Sequence, residues 1–339
     1  MISFYISLQI KLYKIIPMKK IIITLSAVFF MIAIVFTSCK KDEYLQVPLT
    51  GFDVTSINTK ILRIVENPQG GVNLFVSVTD QKDRPIENLS VKDFYMEMID
   101  ANGVITPIKA IGPLSLPSLI ITALTMDYSG SMYTDTIAVP SMENAISSFI
   151  TMKNPYDQCE ILKFSTTVQT TVPLTSNPQL LFAGLADTTF AGHGSTALYR
   201  AIIQGMNDVN TLASNNPTYL PSVIGFTDGK NNQTPLTLDS LLLTSITKQI
   251  PVFTVGYGVN PDTTSLKTIA DSTGGSFFWS PNAAGLTQLF QTVNGQLTSS
   301  SIITVPGPPS KGKITYRVTA TYKSPNGIYE DTDQKYFYY

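Results

Sequence analysis

The feature that most restricts what this chain can fold into is the run from Leu119 to Met126, which is almost continuously apolar and is ended by Asp127. A strand with apolar side chains on both faces must be covered on both sides, as in a mostly parallel sheet sandwiched between helices. The residues that follow continue that pattern. Met142, Ala145, Ile146, Phe149 and Ile150 recur at helical spacing, as do Leu198, Ile202, Met206 and Val209, while Cys159 to Phe164, Val168 to Leu174, Val223 to Phe226, Val252 to Val255 and Ser276 to Trp279 read as strands. Leu266 to Ala270 and Leu286 to Val293 supply further helices. Residues 116–298 are therefore expected to form an α/β domain with a doubly wound, mostly parallel six-stranded sheet. Ligands in such sheets bind beyond the carboxyl ends of the strands.

The flanks have a different period. Val72, Leu74, Val76 and Val78 alternate with Asn73, Phe75, Ser77 and Thr79, Phe94 to Ile99 is a second strand candidate, and Asp100, Asn102 and Gly103 form a hairpin turn into Val104 to Ile108. Near the far end Ile314, Tyr316, Val318, Ala320 and Tyr322 alternate with polar residues, Pro325 to Gly327 turn, and Tyr336 to Tyr339 runs back. The strands of 56–115 are too few for a sandwich alone. The expectation is a second, smaller, all-β sandwich-like domain completed by 299–339, with the central domain inserted between its halves.

The N-terminus reads as an address. Ile21 to Phe36 is apolar and uncharged, follows Lys19 and Lys20, and ends at Thr37, Ser38 and Cys39. At about 1.5 Å per residue it falls short of the roughly 30 Å hydrocarbon core. The order of basic, apolar and small-residue regions is that expected of a signal peptide over 1–38, the alternative being an uncleaved anchor helix, and Met18 before two lysines would serve as a start that leaves 1–17 as an upstream extension. VFTSC resembles a lipobox, although Phe36 stands where Leu is commonest. Cys39 would then carry the lipid, and 39–55 would be a tether to a bacterial cell envelope, in the outer membrane. The adjoining KKDE resembles the charged signals that send some Gram-negative lipoproteins to the surface, and equally fits a solvated tether. Loss of 1–38 removes four lysines and no acid, so the mature chain is mildly acidic. With no basic stripe, nucleic acid is not an expected partner.

The expected strand ends carry oxygen donors. Asp127, Ser129 and Ser131 alternate along one loop, Asp228 follows Phe226 and Thr227, and Thr196 in GHGST precedes a helix it could simply cap. An all-oxygen set selects hard cations. These three pieces, in this order, resemble the von Willebrand factor A family with its metal-ion-dependent adhesion site on a Rossmann-like sheet. TALYRAI, VIGFTDGKNN, VFTVGYG and SLKTIADSTGGSFF resemble it as well, and VSVTDQKDRPIENLSVKDF resembles the β segment preceding this domain in bacterial members.

The resemblance implies a Mg²⁺ site, with Mn²⁺ or Ca²⁺ as alternatives, in which Ser129, Ser131 and Thr196 offer hydroxyls while Asp127 and Asp228 act mainly through water. A partner protein's Asp or Glu would complete the shell. The function implied is metal-dependent adhesion or assembly, not an enzyme. The alternatives are a scaffolding lipoprotein whose metal only stabilises the fold and, last, a metal-assisted hydrolase. A nucleophilic Ser129 or Ser131 would need a base and an oxyanion hole, yet the chain has no GxSxG elbow and one histidine, His193. His193 is expected on a surface loop and Cys159 as a small buried group. Tyr128 is expected either to pack or to touch a ligand, and KYFYY to pair as a strand.

Overall fold

The computed structural model describes residues 53–233 and 235–339, which belong to one compact unit. The signal segment, Cys39 and most of the tether lie outside the described residues.

Four strands come first: β1 (Ile57–Glu66), β2 (Val72–Asp80), β3 (Phe94–Ile99) and β4 (Ile105–Ile108). The central domain follows with β5 (Leu119–Asp127), α1 (Ala138–Met152), β6 (Gln158–Phe164), β7 (Val168–Thr175), α2 (Pro178–Ala186), α3 (Leu198–Ala213), β8 (Tyr219–Thr227), α4 (Leu238–Lys248), β9 (Val252–Tyr257), α5 (Thr263–Thr273), β10 (Phe277–Ser280) and α6 (Leu286–Thr298). The chain ends in β11 (Ser301–Val305), β12 (Lys313–Ser324) and β13 (Gly327–Tyr338).

The central sheet has six strands in the order β10-β9-β8-β5-β6-β7, parallel except for β7. Alternate residues of β5 feed opposite cores. Leu124 and Met126 pack with α1, α2 and α6, whereas Ile121 and Ala123 pack with α3, α4 and α5. Gly205 allows the close approach of α3, since a Cβ there would come within 2.8 Å of the Ala123 Cβ. Two helices that sequence periodicity does not mark, α2 and α4, begin at side-chain caps: Asn177 accepts from the Gln179 amide and Thr237 from the Ser240 amide. Only Leu241 and Ser245 of α4 are buried, so its apolar residues do not define a single face.

The flanks build two sheets, each with strands from both ends of the chain. One runs β1-β2-β11 and the other β13-β12-β3-β4. Strand β1, which lacks a regular alternation, was not among the expected strands, and neither was β11. Strand β13 starts at Gly327, well before Tyr336, with Glu330, Asp331, Asp333 and Lys335 along it. Strand β2 is buried along its whole length, polar face included, because it lies between β1 and β11 and its other face joins the central core through Phe75. The expected turn at Asp100 is present: Asp100 Oδ1 accepts the amides of Asn102 and Val104, and Gly103 adopts φ +83°.

These sheets dock where the parallel strands begin. Arg63 donates to the carbonyls of Tyr219 and Ala213, Asn73 Nδ2 to Pro217 O at 2.9 Å, Gln249 Nε2 to Tyr336 O at 3.2 Å, and Lys335 Nζ to Thr273 O at 2.6 Å. Each of these central groups lies in or beside a segment entering β8, β9 or β10. The amino end of the sheet is therefore fastened to the flanks, and its carboxyl end is left to the loops that carry the oxygen donors.

Candidate metal centre

Asp127 is the last residue of β5 and is fully buried. Its Oδ1 accepts the Ser129 amide at 2.7 Å and its Oδ2 accepts the Thr227 hydroxyl at 2.5 Å. That fixes the carboxylate between two adjacent strand ends. Beyond it the chain makes a turn of 3₁₀ helix, Gly130–Tyr133, that brings Ser129 Oγ within 3.3 Å of Ser131 Oγ. Ser131 in turn donates to Asp228 Oδ1 at 2.7 Å. Asp127, Ser129, Ser131 and Asp228 thus form one connected set, buried at Asp127 and open to solvent at Ser131.

Thr196 arrives on a separate loop strapped to both others. The amides of His193 and Gly130 join it to the Asp127 loop, donating to Tyr128 O at 2.7 Å and Gly194 O at 3.0 Å. On the other side the Thr196 amide donates to Asn232 Oδ1 at 2.7 Å, and the Asn232 amide donates back to Thr196 O at 3.1 Å. Asn231 Oδ1 accepts the Tyr199 amide at 3.1 Å in the first turn of α3. Sequence reasoning singled out all five oxygen donors but not Thr227, Asn231 or Asn232, the residues that hold them. The only signal for these was their place beside Asp228 in the FTDGKNN stretch.

Burial pushes the Asp127 carboxyl up to about 6, partly offset by hydrogen bonds from Ser129 and Thr227 and reinforced by the charge of Asp228. The Asp228 carboxyl is also raised by burial, against the Ser131 hydroxyl bond. Among the described residues the ion pairs engage Asp53, Asp80, Glu97 and Asp271, and none reaches Asp127 or Asp228. Two partly desolvated carboxylates without a cationic side chain are costly unless a cation joins them. No three His, Cys, Asp or Glu side chains converge among the described residues, so any ion here would rely on hydroxyl oxygens as well. That composition fits a hard divalent cation and disfavours a soft one.

The family model for the von Willebrand factor type A domain matches residues 123–292, half of the chain. The chain belongs to that family. Among solved structures, a von Willebrand factor type A protein from Catenulispora acidiphila is similar at 13% identity, over 83% of this chain and 72% of that one, with a TM-score of 0.48. Proximal thread matrix protein 1 from the mussel byssus is similar at 19% identity and a TM-score of 0.45, over 53% of this chain. This chain covers 48% of that protein's length. An aerotolerance-related membrane protein from Bacteroides fragilis is similar at 14% identity and a TM-score of 0.43, over 53% of this chain and 98% of that one. No curated protein matches.

In this von Willebrand factor A domain the remaining flagged residues have structural roles. His193 is exposed on its loop at φ +69°, with its ring stacked on Tyr133 at 3.9 Å between centroids. Tyr128 is buried and donates to Glu143 Oε1 at 2.7 Å, so it packs. Cys159 is a buried free thiol, pushed up to about 12 by burial. The terminal aromatics lie on or just beyond β13, which pairs with β12. No helix among the described residues is long and apolar enough to cross a membrane.

Proposed function

We propose that this von Willebrand factor A domain captures a partner protein through one divalent cation held by Asp127, Ser129, Ser131, Thr196 and Asp228. The reading is carried by the two cation-less carboxylates bridged by hydroxyls at the open end of the sheet. Family domains with this motif bind divalent cations, and the oxygen-only donor set favours Mg²⁺, or Mn²⁺ or Ca²⁺, over zinc. When bound, the cation supplies positive charge that a partner's Asp or Glu carboxylate can complete. This chain's own residues do the rest. Thr227 and the Ser129 amide orient Asp127, the Ser131 bond orients Asp228, and Asn232 fixes the backbone of Thr196.

The chain is further proposed to be an envelope lipoprotein, exported by its first 38 residues and anchored through a lipid on Cys39, with the domain held off the membrane by the following tether. Titration of the purified full chain with Mg²⁺ tests the centre: micromolar to millimolar binding is expected, and Asp127→Ala must abolish it. Unchanged binding in that variant would sink the assignment. Mass spectrometry of the membrane fraction tests the anchor, with a diacylglycerol adduct expected on Cys39 and absent from Cys39→Ser.

A further inference from the structure

The carboxyl end of the sheet carries a second feature that the metal site does not use. An open groove of about 540 Å³ is lined by Lys230, Val259, Asn260, Asp262, Thr263 and Trp279, among others. Its position follows from the strand order β10-β9-β8-β5. The loop leaving β8 carries Asp228 and, two residues on, Lys230, the loop leaving β9 carries Val259 to Asp262, and Trp279 comes from β10. The groove therefore continues the surface of the metal centre.

Resting on the capture function proposed above, we propose that this groove takes a side chain of the same partner segment, and that the segment pairs an acidic residue with an aromatic or large aliphatic one close by. Val259 is 80% exposed and Trp279 is 48% exposed. The Trp279 indole already donates its Nε1 hydrogen to Gly258 O at 2.8 Å, so its polar atom is satisfied within the chain and the ring offers hydrocarbon surface in a fixed place. A pinned indole of this kind covers a partner's apolar side chain with little loss of its own freedom.

The groove carries both signs of charge. The Asp262 carboxylate is engaged by Ser265, whose amide donates to Oδ1 at 3.3 Å and whose hydroxyl donates to Oδ2 at 2.8 Å. Lys230 is exposed and forms no ion pair among the described residues. Lys230 stands two residues beyond Asp228 and offers a partner's carboxylate a second cationic contact, while Asp262 keeps its own charge among the residues that line the groove.

Random peptides displayed on phage, panned against the immobilised full chain in Mg²⁺ and eluted with EDTA, test this. The eluted peptides are expected to share an Asp or Glu with a Trp, Phe or Leu at a fixed short spacing. A synthetic peptide of that consensus should bind Trp279→Ala and Val259→Ser at least about tenfold more weakly, with Mg²⁺ affinity unchanged in both. Val259→Ser keeps the test valid if the tryptophan variant misfolds, because that side chain is almost wholly in solvent. Acidic peptides without an apolar residue at fixed spacing, or equal binding to the variants, overturn the inference and leave the capture reading standing. If no peptide elutes with EDTA, the capture reading falls and this inference falls with it.

Discussion

Thr196 and Asn232 hold each other through a reciprocal pair of hydrogen bonds, the Thr196 amide on Asn232 Oδ1 at 2.7 Å and the Asn232 amide on Thr196 O at 3.1 Å. One residue belongs to the loop before α3 and the other follows Asp228 by four positions, so this pair sets the spacing of the two loops. Asn232→Ala leaves the Thr196 amide without its acceptor, at a cost of about 1–3 kcal/mol. Mg²⁺ affinity measured by calorimetry is expected to fall about tenfold, with a smaller effect for Asn232→Asp, which keeps an acceptor oxygen. Equal affinity in wild type and Asn232→Ala would show that Thr196 needs no such support.

Metal binding should also be visible as stability. A ligand bound only by the folded state stabilises by about 2.7 kcal/mol at a hundredfold excess over its Kd. The melting temperature of the full chain is expected to rise with Mg²⁺ and to return on adding EDTA. Asp127→Ala and Asp228→Ala should show no such rise.

Glu160 lies buried on β6, and its Oε1 has no hydrogen-bond partner. Burial, then the charge of Asp208, pushes its carboxyl from 4.5 up to about 9. The folded chain thus keeps a proton that the unfolded chain releases above its ordinary carboxyl range. The contribution of Glu160 to stability therefore falls as pH rises from about 4.5 to about 9. Glu160→Gln cannot ionise, so it should lose this slope and be the more stable protein at pH 9 by over about 1 kcal/mol. Urea unfolding in EDTA at pH 5, 7 and 9 gives the comparison.

The outer edge of β1 is covered by carboxylates instead of another strand. The Thr59 amide donates to Asp331 Oδ2 at 2.6 Å and the Ile61 amide to Asp333 Oδ2 at 2.7 Å. Removing either acceptor by Asp331→Ala or Asp333→Ala should cost about 1–3 kcal/mol. The double variant should also associate in a concentration-dependent way, since bare strand edges pair. Urea unfolding and light scattering report the two effects separately.

The central sheet was legible because β5 is apolar on both faces and its neighbours repeat the pattern. Asp127, Ser129, Ser131 and Asp228 were legible from their place beyond the ends of strands, whereas Thr196, which could as well cap a helix, was joined to them only by the family resemblance. The supports were not: Thr227, Asn231 and Asn232 are ordinary polar residues whose value comes from which distant atom they reach. Strand β13 was read too short for the same reason. Its charged residues look like a solvated loop until Asp331, Asp333 and Lys335 are seen to bind the backbone of β1 or its neighbours.

By itself the sequence determined the α/β alternation, the six-stranded sheet and the residue types at its carboxyl end, since these follow from short-range periodicity and strand-end chemistry. Only the tertiary structure decided which strands of the two flanks pair and that they sit at the opposite end of the sheet, that the two carboxylates lack a cationic partner, and that a groove with an exposed tryptophan adjoins them. Each of those depends on contacts between residues far apart in the chain, which local pattern does not encode.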